Sequence, residues 1–239
     1  MRASFFALVL VCTAFLGHSQ TARLTDQTIV KDTSGMIYPA PVWKSLMNRH
    51  YKLVAENPKD PASHFIIQKM SDAEIDARMA HAPKPKESTA FVTGKKTKLF
   101  KVKDIEGNTI DLRDPKGKII VMNFWFINCP PCKREIPDLN ELVAEFGSDS
   151  NIIFVAVALD DKAALQQFVK TSPFRYQIVD NGRFFAQDYG VKYYPTHAIF
   201  DGEGKVYFHT SGLAHNTIYW IRKSIKELVE KRAAATAAR

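Results

Sequence analysis

Two cysteines separated by two residues are the feature of this sequence that most directly indicates chemistry. Cys129 and Cys132 enclose Pro130-Pro131, between an apolar run, 118–126, and a helical pattern predicted to begin at the second cysteine. A cysteine pair with this spacing at a strand-to-helix junction is typical of sites for thiol–disulfide exchange. A loop this short would add little stability as a crosslink, so the pair indicates catalysis rather than a structural disulfide.

The first residues predict a secretory signal. Arg2 precedes an apolar stretch from Phe5 to Leu16, and small and polar residues follow. This stretch is 12 residues long, whereas a spanning helix needs roughly 20. We therefore expect residues 1–19 to be a signal peptide cleaved near Ser19 or Gln20, with an uncleaved anchor as the alternative. The only other cysteine, Cys12, lies in this segment, so the exported chain would keep one cysteine pair.

Length and charge narrow the function classes. The chain has 239 residues, 46% hydrophobic and 24% charged, which fits one domain with an appendage or two small domains. Its net charge of +8 falls to +7 without residues 1–19, which hold Arg2 and no acid. The lysines are scattered, and no basic stripe with interleaved aromatic residues indicates nucleic-acid binding. We expect a solvated basic face, with attraction to acidic partners or anionic membrane as the alternative.

Residues 20–90 are predicted to form a small α+β appendage ending in a linker. Its signals are a short strand at 28–30, a helix opened by Pro41, two strands around the turn 57–61 (51–54 and 64–67), and a helix after Ser71. Ser71 and Glu74 form a capping box. The prolines of 83–88 predict a linker, because they cannot continue a helix.

Residues 91–232 are predicted to form an α/β domain. The expected elements are a hairpin (100–102 and 109–112), the strand 118–126, an amphipathic helix through Phe146, a buried strand at 152–157, a helix around 164–169, a short helix at 183–189, a hairpin (198–200 and 206–208) and a closing helix through Leu228. The alanine-rich end, 233–239, is predicted to be a frayed helix or a disordered tail.

The residues around the cysteine pair resemble the thioredoxin superfamily, and more narrowly the TlpA/ResA-like exported thiol–disulfide oxidoreductases. The resemblance rests on the segment 123–137, with its CPPC motif and Pro137, and on Tyr194-Pro195-Thr196 about sixty residues later. It covers about residues 95–230. The resemblance implies a thioredoxin-like fold, in which a central mixed sheet is flanked by helices.

Each cysteine receives a separate role. The first lies at a helix N-terminus, where the partial positive charge lowers a thiol pKa, so we expect Cys129 to be an exposed nucleophile. Cys132, one turn later, is the resolving thiol, and the family resemblance implies that its sulfur is buried. The two prolines lack N–H groups, which leaves the Cys132 amide as the main donor to a Cys129 thiolate. We therefore expect a less oxidising couple than that of a DsbA-type site.

Two further positions concern proton transfer and client docking. Thioredoxins commonly carry a buried acid where this chain has Asn123, which cannot accept the proton of the resolving thiol. Glu135, three residues after Cys132 on the same helix, is the nearest candidate for proton handling, but the alternative of an ordinary surface glutamate is the favoured interpretation. The resemblance implies that Pro195 is a cis-proline facing the disulfide, flanked by Tyr194 and Thr196 as substrate-binding residues.

Three other functions remain open. A copper chaperone or other metal-binding module would use the two cysteines, with His197 as the one histidine that the fold would place near them. A peroxiredoxin-like peroxidase is the second, although the Thr expected three residues before its reactive cysteine is Phe126 here. A non-enzymatic interaction protein that binds its partner through 20–90 is the third.

The sequence thus predicts an extracytoplasmic enzyme that exchanges disulfides through the Cys129–Cys132 pair without a diffusible cofactor. The expected partners are disulfide or dithiol proteins and an upstream electron donor, not nucleic acid. Membrane contact is expected only through the signal or a membrane-bound redox partner, and the location would be periplasmic in a Gram-negative bacterium. The resemblance implies reduction of haem-attachment cysteines during cytochrome c maturation as one physiological role.

Overall fold

The computed structural model describes residues 22–47 and 51–237, which belong to two compact units, Met1–Ile75 and Asp76–Arg239. The predicted signal peptide, 1–19, lies outside the described residues. Within the described ranges, no helix combines the length and apolar character needed to cross a membrane.

The smaller unit contains a four-stranded sheet packed with a helix. Its elements are β1 (Val30–Lys31), β2 (Ile37–Tyr38), α1 (Ala40–Met47), β3 (Tyr51–Ala55) and β4 (Phe65–Lys69), and the strand order is β2-β1-β4-β3. β1 and β4 are parallel, and the other pairs are antiparallel. Trp43 of α1 joins Val30, Phe65 and Ile67 in one apolar cluster. The α+β prediction is confirmed for these residues, although the first strand lies two residues later than expected.

A second helix, α2 (Asp72–His81), crosses the position at which the units divide. Its N-terminus has the predicted capping box. The Ser71 N–H donates to Glu74 Oε2 at 2.9 Å, and the Glu74 N–H donates to Ser71 Oγ at 3.3 Å. Two N–H groups are therefore satisfied by side chains at the start of the helix.

The larger unit has a five-stranded mixed sheet with helices. Its elements are β5 (Lys101–Lys103), β6 (Thr109–Asp111), β7 (Ile119–Trp125), α3 (Pro130–Phe146), β8 (Ile152–Ala158), α4 (Lys162–Thr171), β9 (Gln177–Val179), α5 (Arg183–Asp188), β10 (Thr196–Phe200), β11 (Val206–Ser211) and α6 (Thr217–Ala237). The strand order is β11-β10-β7-β8-β9. β7, β8 and β9 are parallel, whereas β10 is antiparallel to β7 and β11 to β10. The predicted hairpin β5–β6 forms a separate two-stranded sheet.

The central strand β7 is buried on both faces, as its nearly continuous apolar sequence predicts. Alternate residues contribute to two apolar clusters. Val121 and Trp125 belong to the cluster that contains both cysteines and residues of α3 and α6, whereas Met122 and Phe124 belong to the opposite one. Asn123 lies on the cysteine side and is the polar exception in the strand.

The larger unit extends further than predicted at both ends. Residues 83–91, part of the predicted linker region, pack within it because their backbone bonds to its strands and loops. The Lys86 carbonyl accepts from Thr210 Oγ1 at 2.7 Å, and the Pro83 carbonyl accepts from Asn216 Nδ2 at 3.0 Å. Phe91 is part of the core. The division therefore falls at 75/76 rather than near 90. At the other end, α6 continues to Ala237, so the predicted tail is helical as far as it is described.

Candidate active site

Cys129 and Cys132 form a disulfide at the N-terminus of α3. Cys129 is the N-cap residue, in an extended conformation, and the helix begins at Pro130, two residues earlier than the sequence predicts. Proline is favoured in the first turn because its φ is already helical and its missing N–H has no partner to lose there. The Cys132 N–H donates to Cys129 Sγ at 3.3 Å. The Cys132 amide is thus the hydrogen-bond donor to the Cys129 sulfur that the sequence predicts, because Pro130 and Pro131 have no N–H group.

Both cysteines are buried, which corrects one expectation. Cys132 is 1% exposed, as the family resemblance implied, but Cys129 is only 2% exposed rather than open to solvent. Phe126 and Tyr194 pack against the apolar cluster that contains the two sulfurs, and their rings meet edge to face at 5.4 Å. An N-cap position leaves a side chain open only where nothing packs over it, and the Cys129 sulfur instead lies within this apolar cluster.

The turn between β7 and α3 is held by an acid that follows the next strand, β8. The Ile127 N–H donates to Asp160 Oδ2 at 2.8 Å, and the Leu159 N–H donates to the Trp125 carbonyl at 3.1 Å. The Cys129 N–H donates to the Phe126 carbonyl at 3.2 Å and completes the turn. The segment between β7 and α3 is therefore fixed to the end of β8. Sequence analysis did not identify Asp160, which gives no signal without the strand pairing.

The Tyr194–Pro195 peptide bond is cis, as the family resemblance implied. The Pro195 carbonyl accepts from the Gly212 N–H at 2.8 Å. Thr196 is fully buried, and its hydroxyl donates to the Tyr193 carbonyl at 2.7 Å and lies 2.5 Å from Ser211 Oγ. The Thr196 side chain thus stabilises the loop from inside. Tyr193, which the sequence did not single out, is 62% exposed on the same loop.

A buried polar cluster lies on the cysteine side of the sheet. Asn123 of β7 and His197 of β10 are cross-strand partners, and Glu135 of α3 meets both. Asn123 Nδ2 is 3.3 Å from His197 Nδ1 and donates to Glu135 Oε1 at 3.4 Å. His197 Nε2 is 2.9 Å from the same Oε1. Glu135 is 3% exposed, so the surface alternative for this residue is wrong.

The burial of Glu135 follows from helical spacing that the sequence already contains. Cys132, Glu135, Ile136 and Leu139 follow the helical pattern i, i+3, i+4, i+7, and all four are buried on α3. The second carboxylate oxygen, Oε2, is buried without a hydrogen-bond partner among the described residues. Burial raises the pKa of Tyr176 well above its usual value, and the nearby Glu135 carboxylate adds to this effect. Tyr176 is therefore a neutral neighbour of the cluster.

The remaining positions near the cysteines are solvent-facing or structural. Lys133 and Arg134 are exposed in the first turns of α3, Asn128 is exposed before it, and Pro137 lies inside the helix. In the ranges 22–47 and 51–237, no group of three or more histidine, cysteine or acidic side chains is arranged to hold a metal ion. His197, the histidine considered as a copper ligand, instead faces Glu135.

Comparison with known sequences identifies one family match and related proteins that share one name. A model of the AhpC/TSA family matches residues 93–209. The thiol-disulfide oxidoreductase ResA of Bacillus thuringiensis is 36% identical over 114 residues, covering 47% of this chain and 66% of the relative. ResA of Halalkalibacterium halodurans is 30% identical over 135 residues, covering 56% of this chain and 77% of the relative. The chain thus spans about two thirds of the length of the first of these relatives.

Solved structures support the same fold. A Chlorobium tepidum protein assigned as the thiol:disulfide interchange protein DsbE superposes with a TM-score of 0.53 at 24% identity, covering 58% of this chain and 98% of its own. The C-terminal domain of a Bacteroides thetaiotaomicron protein assigned as a thiol-disulfide oxidoreductase has a TM-score of 0.51 at 19% identity, covering 60% and 99%. The Halalkalibacterium halodurans relative, 30% identical and covered over 77% of its length, shows that the chain belongs to the ResA family of thiol-disulfide oxidoreductases, and the solved structures agree with its thioredoxin-like fold.

Proposed function

We propose that this protein exchanges disulfides with protein clients outside the cytoplasm, through the Cys129–Cys132 pair. The observation that carries the proposal is the disulfide at the N-terminus of α3, with the first sulfur at the N-cap position and a cis-proline loop packed against the same apolar cluster. The signal-like residues 1–19 support an exported location.

The reaction is a two-electron exchange. In the reducing direction, the Cys129 thiolate attacks one sulfur of the client disulfide, and the other client sulfur leaves as a thiolate and takes up a proton. Cys132 then loses its proton and attacks Cys129 Sγ, which breaks the mixed disulfide and releases the second client thiolate. The second client thiolate also takes up a proton, so the client gains two electrons and two protons, one originating on Cys132 and one from solvent, and the protein ends with the Cys129–Cys132 disulfide.

Glu135 is the proposed acceptor of the Cys132 proton. It lies three residues after Cys132 on one face of α3, where side chains three apart are neighbours with Cβ atoms about 5–6 Å apart. Its Oε2 atom has no partner in the described part of the chain and is therefore available as an acceptor. Asn123, which occupies the usual position of the acid, can donate to Glu135 but cannot take its place.

Client docking is proposed at the cis-proline loop. Tyr194 and Pro195 would offer backbone groups to an extended client segment. The exposed ring of Tyr193 lies beside them and would add apolar contact. Thr196 supports this loop from the interior rather than contacting the client. The haem-attachment cysteines of an apocytochrome are the client class that the family resemblance favours.

The redox couple is proposed to be less oxidising than that of a DsbA-type site. A Cys129 thiolate would have the Cys132 amide and the helix N-terminus to stabilise it, since Pro130 and Pro131 have no N–H to donate. A weakly stabilised thiolate favours the disulfide form over the dithiol form. Titration of the reduced Cys129 thiol tests this point, and a pKa near ~3.5, the DsbA value, would contradict it.

The exchange role is tested with a trapping variant in cells of the native organism. Cys132→Ser keeps the nucleophile but removes the resolving thiol, so the client should remain bound to Cys129 as a mixed disulfide. The matched control, Cys129→Ser, should trap nothing. Recovery of mixed disulfides with Cys132→Ser alone supports the proposal, and recovery with neither variant refutes it.

A peroxidase activity is the alternative that the AhpC/TSA family match brings back. The residue three positions before Cys129 is Phe126, whose ring packs on Tyr194 and offers no hydroxyl to a peroxide. We therefore expect the reduced protein to turn over a small disulfide faster than hydrogen peroxide. The reverse order of rates would favour the peroxidase.

Titration of the reduced protein with Cu(I) tests the metal-binding alternative. Tight stoichiometric binding that is lost in His197→Ala would support that alternative.

A further inference from the structure

The buried polar cluster on the cysteine side of the sheet contains a histidine, His197, that has no role in the exchange reaction as proposed above. His197 is 1% exposed, and its Nε2 atom lies 2.9 Å from Oε1 of Glu135. The ring N–H is not aligned with that oxygen, so the contact is electrostatic rather than a well-formed hydrogen bond. A carboxylate buried among apolar side chains is costly unless polar groups surround it. His197 and Asn123 are the polar side chains that contact Oε1 in the described structure.

The orientation of Asn123 determines which histidine nitrogen carries the proton. Its Nδ2 group is a donor, so the facing Nδ1 of His197 must accept. A neutral ring then carries its hydrogen on Nε2, toward Glu135. The reversed amide would place an oxygen beside Oε1, where two acceptors would repel each other. The observed arrangement thus places the Asn123 amide, as a hydrogen-bond donor, and the Nε2 edge of His197, as an electrostatic neighbour, beside one oxygen of Glu135.

The other carboxylate oxygen remains free. Oε2 is buried and has no hydrogen-bond partner in the described residues. The two carboxylate oxygens therefore differ, because Oε1 has two polar neighbours and Oε2 has none among the described residues. Glu135, three residues after Cys132, lies on the face of α3 that also carries that cysteine.

We propose that His197 is a positioning residue for Glu135: it holds Oε1 and so leaves Oε2 as the acceptor of the Cys132 proton during resolution of the mixed disulfide. This inference rests on the proposed function, because it concerns the second step of that reaction. The proton moves from Cys132 Sγ to Glu135, the resulting thiolate attacks Cys129 Sγ, and the bound thiolate leaves. His197 does not touch the reacting sulfurs in this scheme.

The two steps can be separated with a symmetrical aromatic disulfide as substrate. Attack by Cys129 releases the first coloured thiolate, and resolution by Cys132 releases the second, so rapid mixing yields two rates from one trace. In His197→Ala we expect the first rate to stay within about twofold of the unmodified protein and the second to fall by about tenfold or more, since loss of a positioned proton acceptor typically costs 10²–10⁴-fold. His197→Gln, whose amide can donate to Oε1, should recover part of the second rate.

Controls distinguish positioning from a general loss of structure. His209 is a buried histidine of the neighbouring strand β11, and its Nε2 lies 4.0 Å from Glu87 rather than near Glu135. His209→Ala should therefore leave the second rate unchanged. If His197 acts through Glu135, then His197→Ala should cause no further slowing in a Glu135→Gln background, because the two effects are not independent.

The outcomes separate this inference from the proposed function. A protein that releases no thiolate, or a Cys129→Ser variant that matches the unmodified protein, would refute the exchange function itself. A normal first rate with an unchanged second rate in His197→Ala would overturn the positioning role alone, as would equal slowing with and without Glu135. Should His197→Ala fail to fold, His197→Gln is compared with His197→Leu, and equal second rates in these two variants would overturn the proposal.

Discussion

The buried cluster around Asn123 makes a quantitative prediction for the substitution Asn123→Asp. This change restores the acid that thioredoxins commonly carry at this position while preserving the shape of the side chain. It would place a second carboxyl group about 3.4 Å from Glu135 Oε1, at the distance of the present Nδ2 contact. Both positions are buried, so solvent screens the pair weakly.

The magnitude follows from Coulomb's law. Two unit charges 3.4 Å apart repel by about 5 kcal/mol at an effective dielectric constant of about 20. This corresponds to raising the pKa of the introduced carboxyl by about 3.5, from about 3.9 to above 7. Because the pKa of the introduced carboxyl is higher in the folded state than in the unfolded state, the variant keeps its full stability at pH values below the unfolded-state pKa. It loses stability as the pH rises toward the folded-state pKa. The variant should therefore lose up to about 4 kcal/mol of unfolding free energy at neutral pH and little near pH ~4.

The assay is urea unfolding of the oxidised protein at these two pH values. Asn128→Asp is the matched control, because it makes the same chemical change at an exposed residue and should alter stability by less than about 0.5 kcal/mol. A loss of equal size at both pH values would indicate misfitting rather than charge repulsion. No loss at neutral pH would show that Asn123 and Glu135 do not meet as described.

Two further predictions concern neighbouring parts of the larger unit. Asp160→Ala should expose the Ile127 amide to faster hydrogen exchange and cost about 1–3 kcal/mol of unfolding free energy, because it removes the acceptor of that N–H. Asp160→Asn, which keeps an acceptor oxygen, should lose less than half as much, and equal losses would refute the role of the bond. Burial holds the pKa of His209 below its usual 6.5, so the unfolded chain binds the proton first and stability should fall as the pH drops below about 6.5. His209→Gln should flatten that part of the profile, and an unchanged slope measured by urea unfolding would contradict this.

Much of the larger unit could be predicted because its local patterns agree with its tertiary structure. The apolar runs of β7 and β8 and the spacing of α3 and α6 each correspond to an observed element. The three-residue strand β9 was not predicted, because a segment so short becomes a strand only through pairing with β8. Element ends differ by one or two residues where caps decide them, as at Pro130.

The thiol–disulfide chemistry of the candidate site could be predicted from the sequence, whereas the burial and contacts of the residues around the cysteines could be predicted only in part. The spacing of Cys129 and Cys132 identified the disulfide, but the burial of the first sulfur is a tertiary effect, since its apolar cluster includes residues far away in the sequence. The spacing along α3 could have indicated that Glu135 is buried. His197 lies in a strand buried on both faces, so its burial could have been inferred, but its partner could not, since the contact joins β10 to a helix 62 residues earlier.

The concealed first sulfur has a consequence for which thiols can use this protein. An attacking thiolate must approach a sulfur atom along the axis of the disulfide, and a side chain only 2% exposed at Cys129 leaves a free thiol in solution little room to do so. In the proposed docking mode, a protein partner bound beside Tyr194 would gain contacts that offset the rearrangement needed to reach the sulfur. Small ambient thiols lack that contact. The same burial that corrects the sequence prediction would thus slow reactions of the protein with small molecules and favour electron exchange with partners that bind it.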